Sequence, residues 1–160
     1  MTSEPNIALS KQPALHHPDE ETIKDFLMSA ALHSLEKVKF YVEDRGLHPD
    51  TTYGGKPTAL CYAVLKPNRP LLNYLLDQGA DSNHVDQMGM TPLHYAALGG
   101  CIYCLSSLVN VGAKLNEFNR CGETALALAL NRQNSPEGID YLIRSGASME
   151  KQESVIKTFH

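Results

Sequence analysis

Long apolar stretches are missing from this chain of 160 residues. No run of about 18 apolar residues occurs, so no membrane-spanning helix and no membrane insertion are expected. The N-terminus lacks a basic segment followed by an apolar core, so no Sec-type signal peptide is expected either. Positive charge is in deficit: 14 Lys and Arg face 18 Asp and Glu, for a formal net charge of −4. That argues against nucleic acid as the default partner. Cysteine is sparse, with four thiols, which suits a reducing compartment better than a disulfide framework. Catalytic signatures are missing as well. No Gly-rich phosphate loop ends in Lys-Ser or Lys-Thr, and neither Gly-x-Ser-x-Gly nor His-Glu-x-x-His occurs. The carboxylates are scattered without an acid/base pair, so neither an enzyme nor a cofactor is expected.

What the chain does have is a period. Thr58, Thr91 and Thr124 are spaced by 33 residues, as are Leu60, Leu93 and Leu126, and Ala63, Ala96 and Ala129. Gly46, Gly79 and Gly112 follow the same step, and Gly146 arrives one residue late, so the fourth unit carries a single insertion. A fixed period of this size means a stacked repeat architecture.

The residues of one unit predict its local structure. Thr91 is a good helix N-cap, and Pro92 suits the first helical position, where its missing N–H costs nothing. Leu93, Ala96 and Ala97 give one apolar face whose small alanines allow close approach. Gly99-Gly100 breaks this helix, Ile102 to Val109 forms an antiparallel partner, and Gly112 ends it as a left-handed cap. The polar segment 113–123 suits an extended turn or hairpin. Four helix-turn-helix units joined by hairpin-like turns, an all-α solenoid, follow from this reading.

Thr-Pro-Leu-His-x-Ala-Ala at 91–97, with Gly112-Ala113 followed by Asn116, resembles the ankyrin repeat. The resemblance runs over about 19–148, in units 19–47, 48–80, 81–113 and 114–147. The unit 81–113 fits best. The second and fourth place Ala59 and Ala125 where the pattern has proline, and Cys61 and Ala127 where it has histidine. End units are expected to be atypical, with polar outer faces. The segment 1–18 reads as a flexible arm, and 149–160 as a tail that either caps the last unit or remains disordered.

The resemblance implies a protein-binding module without catalysis, an adaptor or inhibitor, whose hairpin tips and first helices form a concave groove. By position the groove takes Tyr53 and Lys66 from the second unit, Gln87, Met88, Met90, Tyr95 and Leu98 from the third, and Phe118, Arg120 and Arg132 from the fourth. Met88, Met90 and Phe118 sit in polar turns, where packing demands less, and are the strongest candidates. Asn83 and Asn116 are expected to hydrogen-bond inside their own turns. The partner is another protein, and a cytoplasmic location is expected. An alternative reading is a pathogen effector that engages a host protein in the host cytoplasm.

One cluster could carry other chemistry. Cys101-x-x-Cys104, with His94 and Cys121, offers four zinc-type ligands and, by its spacing, a redox pair. Against this, the 33-residue register puts Cys104 where a buried aliphatic belongs, a usual role for a free cysteine. No metal is expected.

Overall fold

The structure is a computed structural model and describes residues 17–132 and 135–148. The described residues contain eight α-helices and no strand. These are α1 (Glu20–Ala31), α2 (Leu35–Lys39), α3 (Ala59–Leu65), α4 (Arg69–Asp77), α5 (Pro92–Gly99), α6 (Ile102–Asn110), α7 (Ala125–Asn131) and α8 (Pro136–Arg144). They pair in chain order, α1 with α2 through α7 with α8. The odd-numbered helices form an inner row, α1 on α3, α3 on α5 and α5 on α7, while α6 packs on α8 in the outer row. The architecture is the all-helical solenoid that the period implies. The expected arm (apart from His17 and Pro18) and tail lie outside the described residues, as do two residues of the connector that takes up the fourth unit's insertion.

Two of the inner helices, α5 and α7, start where a threonine caps them. Thr91 Oγ1 accepts from the His94 N–H at 3.4 Å, and the His94 ring reaches back to the Thr91 N–H at 3.0 Å, closing a capping box. Thr124 accepts from the Ala127 N–H at 3.2 Å. Thr58 precedes α3 without such a backbone bond, and its hydroxyl instead faces Cys61 Sγ at 3.4 Å. Asp19 caps α1, accepting from the Thr22 N–H at 2.7 Å. α1 ends at Ala31, and His33 just beyond it adopts a left-handed φ of 58°. The second helix of the first unit continues from α2 to Asp44, and its last turn, Phe40–Asp44, widens to π geometry.

Leucines from every described unit and small residues between the inner helices make the core. Leu60, Leu71, Leu72, Leu75, Leu93, Leu105, Leu108, Leu126 and Leu142 are all at or below 1% exposure. Ala63, Ala96 and Ala129 at the repeated alanine position are as deeply buried, and they let the inner helices approach. The approach is closest at Gly99. A Cβ there would stand 2.7 Å from the Leu65 carbonyl oxygen and 2.8 Å from that of Val64, so α5 rests against the end of α3 with no room for a side chain.

The first unit corrects one expectation. Its outer face is mixed rather than wholly polar: Met28, Leu32 and Phe40 are exposed there beside Asp25, Glu36 and Lys37, around a hollow of about 450 Å³. This is the face a preceding repeat would cover. At the opposite end Leu130 and Ile143 are exposed. Leu130 stands where the third unit has the buried Ala97, and the larger side chain is accommodated by pointing to solvent.

Candidate partner-binding surface

In the third and fourth units one side chain builds the hairpin tip. The Asp86 carboxylate is buried and accepts from the Met88 N–H at 2.8 Å, the Met90 N–H at 3.0 Å and the Tyr95 hydroxyl at 2.5 Å. The Asp86 N–H donates to the Met90 carbonyl at 3.1 Å and closes the turn. Thirty-three residues later Asn119 does the same, accepting from the N–H groups of Cys121 and Glu123, each at 2.9 Å. Successive tips are joined by single backbone bonds: Gln87 N–H to the Gly55 carbonyl at 2.9 Å, and Arg120 N–H to the Met88 carbonyl at 3.0 Å. Gly89 permits that stacking. Its φ is 72°, and a Cβ would lie 2.9 Å from the Arg120 nitrogen.

On this frame Gln87, Met88 and Arg120 are exposed at the tips, and Lys66 and Arg132 are exposed just beyond α3 and α7. Tyr53, Tyr95, Leu98 and Phe118 are half-buried. Met90 is not available. It is 9% exposed, belongs to the core cluster, and its sulfur receives Asn119 Nδ2 at 3.4 Å. A methionine in a polar turn was expected to face a partner; the next unit's tip covers it instead. Tyr95 is half committed. Burial and the bond to Asp86 raise its phenol well above its ordinary range, so it stays a neutral donor that orients the tip. Leu128, on the inner helix α7, is 7% exposed and completes the core.

The first unit contributes residues that position alone missed. Lys24, Leu27, Met28 and Ala31 join Tyr53, Lys56 and Tyr62 around a hollow of about 220 Å³ between α1 and α3. Lys24 Nζ lies 4.8 Å from the centre of the Tyr53 ring. The first unit lacks the Thr-Pro-Leu-His signature, so nothing in its sequence marked these residues as groove-facing.

Two asparagines act differently from expectation. Asn83 donates to the Gly112 carbonyl at 3.1 Å and accepts from the Lys114 N–H at 2.8 Å. Asn116 accepts from the Ser148 N–H at 2.8 Å and faces the Gly146 carbonyl at 3.4 Å. They tie one unit to the next rather than closing their own turns. Asp50, in the same register, accepts from the Asp81 N–H at 2.9 Å.

His94 also bridges units. Nδ1 faces Thr91 Oγ1 at 2.8 Å and its N–H at 3.0 Å, and Nε2 lies 3.1 Å from the Glu123 carbonyl. The neutral ring with its proton on Nε2 satisfies all three contacts. Burial, opposed by that carbonyl, lowers its pKa below the ordinary 6.5. The unfolded chain therefore binds a proton at His94 at a higher pH than the folded chain does. This contribution to stability is complete above about pH 6.5 and declines as pH falls toward the folded value. The melting temperature should drop from about pH 7 to about pH 5.5, and less steeply in His94→Ala. Ala127 fills the matching position of α7, so that variant should fold. Equal slopes would contradict the assignment.

The four zinc-type ligands do not converge. Among the described residues no three His, Cys, Asp or Glu side chains could hold a metal ion. Both ring nitrogens of His94 are engaged, and Cys121 is exposed on its hairpin. Cys101 and Cys104 do meet, sulfur to sulfur at 2.8 Å.

The family model for ankyrin repeats (3 copies) matches residues 26–119 and 60–153. The chain belongs to the ankyrin-repeat family, whose repeats generally mediate protein–protein interaction and are generally non-catalytic. It is 30% identical over 136 residues to the inactive serine/threonine-protein kinase TEX14 of Bos taurus, covering 81% of this chain and 9% of that protein. It is 26% identical over 142 residues to the palmitoyltransferase ZDHHC13 of Homo sapiens, covering 88% of this chain and 23% of that enzyme. Over 58 residues it is 45% identical to human ankyrin repeat domain-containing protein 37, covering 36% of this chain and 37% of that protein. The chain thus spans less than a quarter of the first two relatives. No helix among the described residues is long and apolar enough to cross a membrane.

Proposed function

We propose that this chain is a non-catalytic protein-binding module, an adaptor or inhibitor, that holds its partner across the hairpin tips and the inner helices. Met88 and Gln87, with Arg120 beside them, make the first contact. Tyr53, Tyr62, Leu98 and Phe118 line the approach, and Lys66 and Arg132 add positive charge at its edge.

One observation carries the reading. Met88 is 51% exposed, yet its backbone is held on both sides: its N–H by Asp86 and its carbonyl by the Arg120 N–H. A large, polarisable side chain on a fixed backbone loses little entropy when a partner covers it. The outer row offers less. There Tyr74 donates to Glu43 at 2.9 Å and Tyr103 to Asn73 at 2.6 Å, so those tyrosines are spent between units.

The test compares proteins retained from a lysate by immobilised wild type and by Met88→Glu, identified by mass spectrometry. A partner bound by the wild type should be lost from the variant, with affinity reduced about 30-fold or more, as for a hot spot. Melting should be unchanged. Identical retention would move the surface elsewhere.

A further inference from the structure

The pair Cys101 and Cys104 is not explained by stacking. Cys104 alone would be an ordinary small core residue: it is 1% exposed and packs with the core leucines. Cys101 stands at the N-cap of α6, partly exposed and packed against the edge of the core. Its sulfur accepts from the Cys104 N–H at 3.3 Å and receives the Cys104 thiol at 2.8 Å. The other two cysteines have no such neighbour. Cys61 is buried, and burial pushes its thiol up to about 12. Cys121 is exposed on a separate hairpin.

We propose that Cys101 and Cys104 form a reversible dithiol–disulfide site, oxidised by a hydroperoxide. The roles follow from geometry. Cys101 is the sulfur that solvent reaches, at the start of the nine-residue helix α6. Cys104 is shielded, and burial raises its thiol, so it waits as the protonated resolving partner.

In the first step the deprotonated Cys101 sulfur attacks one oxygen of the peroxide. The O–O bond breaks, a sulfenic acid forms on Cys101, and the other oxygen leaves as an alcohol or as water after taking up a proton. In the second step Cys104 sulfur attacks the Cys101 sulfur and its thiol proton leaves with the hydroxyl as water. Two thiols and one hydroperoxide give one disulfide, one alcohol or water, and one water. The two sulfurs already lie in contact, and bond formation brings them to about 2.05 Å. Return needs an external dithiol, which attacks the exposed Cys101 sulfur, releases Cys104 as a thiol, and then closes into its own disulfide. This site is independent of partner binding at the tips.

The full chain is reduced, freed of reductant and treated with hydrogen peroxide. It is then denatured, alkylated and digested for mass spectrometry. Two of the four thiols should become unreactive, within a peptide holding Cys101 and Cys104 that has lost the mass of two hydrogens. Dithiothreitol should restore both. In Cys101→Ser, where serine can still cap α6, Cys104 should remain alkylatable after the same treatment. Four reactive thiols after peroxide would overturn the proposal. So would an oxygen adduct on Cys101 with Cys104 still free, or a disulfide through Cys121 between chains.

Discussion

Replacing Leu93 with alanine should lower the unfolding free energy by about 2–5 kcal/mol. Leu93 is 1% exposed and lies on α5, which packs on α3 on one side and α7 on the other. In a stack, each unit is stable only through its neighbours. A cavity at the middle inner helix therefore weakens two interfaces at once. The backbone there has no freedom to collapse into the space, because Gly99 already holds α5 against the α3 carbonyls. Urea denaturation followed by circular dichroism measures the loss. An unchanged midpoint would mean that the inner row does not hold the stack together.

The second large effect separates two methionines that sit two residues apart in one turn. Met90→Glu should destabilise by about 3–5 kcal/mol, because an uncompensated charge would be buried. The side chain is 9% exposed among core residues and under Asn119, and Asn119 already bonds the Glu123 carboxylate at 3.1 Å. Met88→Glu should change stability by no more than about 0.5 kcal/mol, as an exposed surface substitution. Thermal melts of the two variants side by side decide this. Equal effects would contradict the placement of the turn.

Much of the stack was readable from the period. Thr58, Thr91 and Thr124 each precede the first residue of an inner helix, because capping chemistry is local and repeats with the unit. What could not be read depends on contacts between units. Met90 looked like a surface residue because its own turn is polar; it is buried by Asn119, 29 residues on. Asn83 and Asn116 follow Gly-Ala in a turn-like context, yet their partners lie about one unit ahead. The role of Asp86 was missed for the same reason. Its carboxylate matters for the Tyr95 hydroxyl and two amides that only the folded turn brings round it. The first unit was legible by phase alone, so neither the exposed apolar residues of its outer face nor its share of the groove was foreseen.

The most direct test follows backbone hydrogen exchange in the chain alone and with a protein it retains. Added protection is predicted at 87–90 and 118–120 and along α3, α5 and α7. Protection confined to α4, α6 and α8 would contradict a partner seated on the tips and inner helices.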